Sequence, residues 1–132
     1  MRVLIVEDSA DNRLLIRTYL RKLACEVDEA ENGEVGVDKF IAGSYHVVLM
    51  DLHMPVMNGV DALRRIRSWE HQNGIGQSCV IALTASALDD EMLQMRDAGA
   101  DAELRKPISK ATLFEAIQTM MSTRGDGPRR FS

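Results

Sequence analysis

Apolar residues follow two alternating rhythms along this chain. The runs at residues 3–6, 47–50 and 79–83 are short, unbroken and rich in β-branched side chains, which predicts strands buried on both faces. Residues 25–29 form a shorter, more polar run, placed at a sheet edge, and residues 102–105 a fifth short strand. Between them apolar positions recur at helical spacing: Leu14, Leu15, Thr18, Tyr19 and Leu23 in a first helix, then Val35, Val37, Phe40 and Ile41 in a second that Gly43 closes. A third helix runs from Val60 to about Trp69. A fourth, polar and with a thin apolar face, covers 89–98 and is stopped by Gly99; a fifth, capped by Ser109, ends near Met121.

Five strands, each followed by a helix, predict an α/β fold with a parallel sheet covered by helices on both faces, because right-handed crossovers permit little else. In such a sheet the binding crevice lies beyond the carboxyl ends of the strands. The polar residues that end the strands therefore converge: Glu7 and Asp8 after the first, Asp51 at the third, Thr84 at the fourth and Lys106 after the fifth.

Composition narrows the picture. With 132 residues, 45% hydrophobic, there is material for one core and not for two. Residues 1–122 are read as one domain and 123–132 as a flexible C-terminal tail. A net charge of -4 and the lack of a basic block beyond Arg129-Arg130 disfavour nucleic-acid binding. No signal peptide or membrane-spanning run is present, and Cys25 and Cys79 have neither metal spacing nor a disulfide framework, so a cytoplasmic chain with reduced thiols and no membrane insertion is expected. Arg64, Arg65 and Arg67 read as a solvated helix face, and His46, His53 and His71 as surface or loop residues.

The convergent residues carry a chemistry. Three carboxylates held together repel one another unless a cation joins them, and hard oxygen ligands with room for water suit Mg²⁺. Lys106 adds a fixed positive charge and Thr84 a hydroxyl. A metal, a cation, a hydroxyl and a carboxylate nucleophile are what phosphoryl transfer to an aspartate needs.

These residues stand in a recognisable order: Val-Glu-Asp at 6–8, Met-Asp-Leu-His-Met-Pro at 50–55 with Gly59, Ala-Leu-Thr-Ala at 82–85, Gly-Ala-Asp at 99–101, and Lys106-Pro107. In them the chain resembles the receiver domain of two-component response regulators, from Arg2 to about Met121. The resemblance implies the flavodoxin-like strand order 2-1-3-4-5. It implies Asp51 as phosphoacceptor, Mg²⁺ held by Asp8, Asp51 and the backbone carbonyl of His53 with Glu7 acting through water, and Thr84 and Lys106 holding phosphoryl oxygens. A cis peptide before Pro107 is expected with it. The implied partners are a sensor histidine kinase or a histidine phosphotransfer protein on one side and a downstream effector on the other. Such a domain catalyses only its own phosphorylation and dephosphorylation. His53 and Ser86, two residues after Asp51 and Thr84, flank the path of a water attacking the aspartyl phosphate.

One position departs from the family. Where many receivers carry Tyr or Phe three residues before the Lys-Pro pair, this chain has Glu103, expected near solvent and paired with a Lys or Arg. Two other classes stay open: a Mg²⁺ phosphohydrolase with an aspartyl intermediate, which needs a second carboxylate where His53 stands, and a degenerate receiver serving as an interaction scaffold. A flavin-binding module of the same sheet order is disfavoured, because Glu7-Asp8 would repel phosphate at the first loop.

Overall fold

The computed structural model describes residues 1–85 and 89–124. Strands β1 (Arg2–Val6), β2 (Glu26–Ala30), β3 (Val47–Asp51), β4 (Cys79–Thr84) and β5 (Ala102–Arg105) alternate with helices α1 (Ala10–Leu20), α2 (Gly33–Ala42), α3 (Gly59–Gln72), α4 (Asp89–Ala98) and α5 (Lys110–Arg124). All strand pairs are parallel, in the order β2-β1-β3-β4-β5. The fold and strand order expected from the sequence are those observed. Among the described residues no helix is long and apolar enough to cross a membrane.

The unbroken apolar runs have a structural cause. Side chains alternate between the faces of a strand, so a sheet covered on both sides needs apolar residues at every position of its central strands. Leu4, Val6, Val48, Met50, Val80 and Ala82 pack on one face with Val37, Phe40, Leu63, Ile66 and Met95. Val3, Ile5, Val47, Leu49, Ile81 and Leu83 pack on the other with Ile16, Leu20, Leu113 and Ile117. In β2 only Ala30 is fully buried, as its edge position requires.

Several boundaries and faces differ from expectation. Helix α1 buries Ile16 and Leu20, one turn apart, and leaves Leu14 and Leu15 57% and 39% exposed. The sequence offers two apolar stripes on this helix, and the one facing the sheet is not the one with more members. Of the apolar stripe expected in α2, Ile41 is exposed, and Gly33 and Gly36 lie on the buried face instead. Helix α5 runs on to Arg124, past the expected end; the rest of the proposed tail, 125–132, lies outside the described residues.

The helix starts follow local chemistry. Ser9, Asn32, Asn58 and Ser109 accept hydrogen bonds from the backbone N–H groups of Asn12, Val35, Asp61 and Thr112, three residues on in each case, occupying donors that a helix start leaves unpaired. Gly59, the first residue of α3, has a specific reason to be glycine. A Cβ there would sit 2.1 Å from the carbonyl oxygen of Asp51, while the Gly59 N–H donates to Leu52 O at 2.8 Å. The start of α3 is thus pressed against the end of β3, which fixes where the Asp51 backbone lies.

Candidate functional site

The strand ends bring together the residues singled out by the sequence. Glu7, Asp8 and Asp51 each offer a carboxylate oxygen, all within 4.8 Å of one another. Glu7 and Asp51 are buried, 1% and 4% exposed, and Asp8 opens to solvent. Lys106 reaches over from the end of β5. Its Nζ donates to Asp51 Oδ1 at 3.1 Å and lies 2.8 Å from Glu7 Oε2. That second contact is a buried ion pair, so both carboxylates lean on the one ammonium. The Lys106–Pro107 peptide is cis, and the Lys106 N–H donates to Thr84 O at 2.8 Å. Thr84 itself is buried at the end of β4.

Electrostatics in the cluster are asymmetric. Burial and the nearby Glu7 charge push the Asp51 carboxyl up to about 6; Lys106 pulls it down without compensating, and Asp8 adds to the rise. For Lys106, burial disfavours the ammonium, yet contact with Glu7 and Asp51 more than offsets this and its pKa is raised. Both values rise, which favours the charged form of Lys106, with two carboxylates to itself, and disfavours that of Asp51, which is buried and shares one ammonium with Glu7. Three carboxylates against one ammonium leave two negative charges, matched by a divalent ion. The oxygen-only donor set also fits a hard metal.

Supporting residues escape a sequence reading. Asn12 Nδ2 and the Ser9 N–H both donate to Glu7 Oε1, at 3.2 and 3.4 Å, and Arg13 donates to Glu7 O at 2.7 Å. Their one signal is position in the first turn of the helix that follows the acidic pair. The His53 side chain does not turn into the cluster: its Nε2 meets Glu91 Oε1 of α4 at 2.8 Å. Ser86 lies outside the described residues.

Two sequence expectations need correction. Arg67 is not on a solvated face. Its side chain is 10% exposed, and Nε, Nη1 and Nη2 make five hydrogen bonds, to Glu70, Asp101 and the carbonyls of Ser78 and Gly99. Glu103 is paired with Arg96 of α4, as expected, but its side chain is only 12% exposed instead of standing in solvent. The paired guanidinium of Arg96, itself 60% exposed, offsets the desolvation cost that argued against burial. His46, at the opposite end of the sheet, is half-buried and accepts the Arg2 N–H at Nδ1.

Comparison with known proteins agrees with this geometry. Residues 3–118 match the family described as the response regulator receiver domain. The chain is 35% identical over 131 residues to the sensor protein GacS of Pseudomonas syringae pv. syringae, covering 98% of this chain and 14% of that protein. It thus spans a small part of that kinase's length. Among solved structures, it is similar to the co-crystal structure of the Saccharomyces cerevisiae histidine phosphotransfer signaling protein Ypd1 and the receiver domain of its downstream response regulator Ssk1. There the identity is 33%, the TM-score 0.87 and the coverage 96% of this chain and 93% of that one. It is also similar to the receiver domain of sensor histidine kinase PA1611 from Pseudomonas aeruginosa PAO1, solved with a magnesium ion in the active site cleft, at 32% identity and TM-score 0.82, covering 92% of this chain and 97% of that one. With the acidic cluster, the lysine and the strand order all in place, the chain belongs to the response regulator receiver domain family.

Proposed function

We propose that Asp51 accepts a phosphoryl group from a phosphohistidine of a sensor histidine kinase or a histidine phosphotransfer protein, and that the resulting change of surface is read by a downstream effector. The observation that carries this reading is the Lys106 ammonium in contact with both Glu7 and Asp51 at the carboxyl edge of the sheet. An oxygen of Asp51 bonds to phosphorus in line as the nitrogen–phosphorus bond breaks, and the electron pair of that bond returns to the donor's imidazole. Lys106 and the Thr84 hydroxyl hold the equatorial oxygens of the transferred group. Asp8, Asp51 and the His53 carbonyl, with Glu7 through water, would hold Mg²⁺. When bound, the ion supplies charge neutralisation for the carboxylates and the phosphoryl oxygens. The magnesium ion in the PA1611 receiver and the pairing of the Ssk1 receiver with a phosphotransfer protein support this assignment. The domain acts on its own aspartate and not on exogenous substrates. Once in place, the phosphoryl group draws Thr84 and its loop inward, so the surface of α4, β5 and α5 changes.

Incubation with acetyl phosphate and Mg²⁺ is expected to add one phosphoryl group, which borohydride trapping maps to Asp51. Label that survives in Asp51→Asn, or that is indifferent to chelation, would overturn the assignment. The exposed Leu14 and Leu15 on α1 give a protein donor an apolar landing surface beside the acidic site. Leu14→Asp is therefore expected to slow transfer from a phosphorylated histidine phosphotransfer protein severalfold while labelling by acetyl phosphate stays as in the parent. Equal slowing with both donors would count against docking there.

A further inference from the structure

Both backbone polar groups of Glu7 are tied toward the end of β2. Its N–H donates to Ala30 O at 3.0 Å, and its carbonyl accepts Arg13 Nη1 at 2.7 Å. Arg13 lies in the first turn of α1, and Glu29, the residue before Ala30, sets its guanidinium by accepting Nε at Oε1, 3.0 Å away. One planar fork thus joins β2 to the peptide that links Glu7 to Asp8.

Three features make this bracket more than a surface ion pair. The side chains of Arg13 and Glu29 are 18% and 26% exposed, so neither swings freely in solvent. Glu29 is itself anchored, by Arg17 Nη1 on its other oxygen at 2.5 Å, one turn further along α1, and by the Lys39 ammonium of α2 on its carbonyl. The third feature lies in what the two acidic residues have to hold them. The Glu7 carboxylate has Asn12, the Ser9 N–H and Lys106 as partners, whereas the Asp8 carboxylate opens to solvent and makes no hydrogen bond or ion pair among the described residues. Where that carboxylate stands is decided by its backbone, and Glu7 O is the last backbone group before it.

We propose that Arg13 is a positioning residue for the divalent cation: by fixing the Glu7 carbonyl it sets where the Asp8 carboxylate stands against Asp51, and so sets the affinity for Mg²⁺. This rests on the reading of Glu7, Asp8 and Asp51 as the Mg²⁺ cluster of a phosphoacceptor. The sign of the effect separates positioning from charge. A cation beside a Mg²⁺ site repels the ion, so removing it tightens binding by Coulomb's law alone. Losing a group that holds a ligand in place loosens binding instead.

The test is the dissociation constant for Mg²⁺ on the full chain, measured by isothermal titration calorimetry, with urea midpoints in chelator to show that each variant is folded. Arg13→Met is expected to raise it about tenfold, the lower end of the losses that follow when a hydrogen bond orienting a metal ligand is removed. Arg13→Lys keeps the charge and loses the fork; it is expected to loosen binding about threefold, and it carries the test if Arg13→Met loses the fold. Arg17→Met takes away the same charge and the other partner of Glu29 but leaves Glu7 O bonded, and is expected to bind as the parent does or slightly tighter. In an Asp8→Asn background the Arg13 substitution is expected to change the constant by less than about twofold, because the carboxylate it positions is gone. In labelling with acetyl phosphate, the Mg²⁺ needed for half-maximal rate is expected to rise in Arg13→Met while the rate at saturating Mg²⁺ stays within about twofold of the parent. Unchanged or tighter Mg²⁺ binding in the Arg13 variants, an equal loss in Arg17→Met, or a full effect on top of Asp8→Asn overturns the proposal. A parent that binds no Mg²⁺, or takes no label at Asp51, instead overturns the reading beneath it, a result distinct from any of these.

Discussion

Replacing Arg67 with methionine is expected to destabilise the domain by about 3–5 kcal/mol, because it breaks a buried ion pair from one side only. Glu70, 2% exposed at its side chain, loses the Arg67 Nη1 donor at 2.9 Å and keeps only the Ser78 N–H at 2.7 Å; Asp101 loses Nη2 at 3.0 Å and keeps the Val80 N–H at 2.8 Å. The carbonyls of Ser78 and Gly99 lose donors as well. One guanidinium thus ties the end of α3, the entry to β4 and the turn between α4 and β5. Arg67→Lys is expected to recover little, since an ammonium has three donors and no planar fork to serve partners in these directions. Urea unfolding monitored by circular dichroism reads the difference directly. A loss of less than about 1 kcal/mol in Arg67→Met, the range of exposed pairs, would show that water replaces the guanidinium without cost.

Arg67 also marks where the sequence stops being legible. Between Arg64 and Arg65 on one side and polar residues on the other it looks like one more surface charge, and only the fold brings Ser78, Gly99 and Asp101 around it. Its one local signal is Glu70, three residues on and therefore on the same helix face. The α1 face failed for a different reason. Leu14, Leu15, Ile16, Tyr19 and Leu20 present apolar residues around much of the helix, and periodicity cannot choose which stripe the sheet will cover. Asn32 and Asn58 act as helix caps, each followed by a residue that must lack a Cβ, Gly33 against Met57 O and Gly59 against Asp51 O.

The candidate site was legible because of how a parallel sheet works. Each of Glu7, Asp8, Asp51, Thr84 and Lys106 sits at the end of a short strand, and strand ends meet whatever lies between them in sequence. What surrounds those residues depends on helix rotation. Asn12 on Glu7, Glu91 on His53 and Arg96 on Glu103 are side chains of α1 and α4, whose apolar stripes are ambiguous or thin, so their reach was hidden. The Arg96–Glu103 pair has a consequence for the switch. An ion pair now stands where many family members carry an aromatic ring, and α4 is joined to β5 by charge.

Stability of the metal-free domain is expected to fall as pH rises from about 4 to about 7, and Asp51 to account for much of the fall. The Asp51 carboxyl is raised from 3.8 to about 6 by burial and by Glu7. An acid with a raised folded-state pKa binds its proton more tightly in the folded state than in the unfolded one. Its favourable contribution is therefore complete below the unfolded value and is lost as pH rises through the folded one. Between the two values the unfolded chain has already released the proton that the folded chain holds, so the fold loses stability through the interval, on the order of a few kcal/mol. Against a typical total of about 5–15 kcal/mol this is a large share. Asp51→Asn should abolish the fall, leaving the opposite, rising contribution of His46, whose pKa is lowered chiefly by burial, and be more stable than the parent at neutral pH, because the amide removes one of the like charges around Lys106. Mg²⁺ should produce a similar gain in the parent at neutral pH and little in the variant, since an ion held by the folded cluster stabilises the state that holds it. Urea midpoints in chelator, measured across this range for both proteins, decide the matter. A fall that persists in Asp51→Asn would place the titrating group elsewhere, and a parent profile no steeper in its fall than the variant's would mean that Lys106 neutralises Asp51 more fully than its sharing with Glu7 allows.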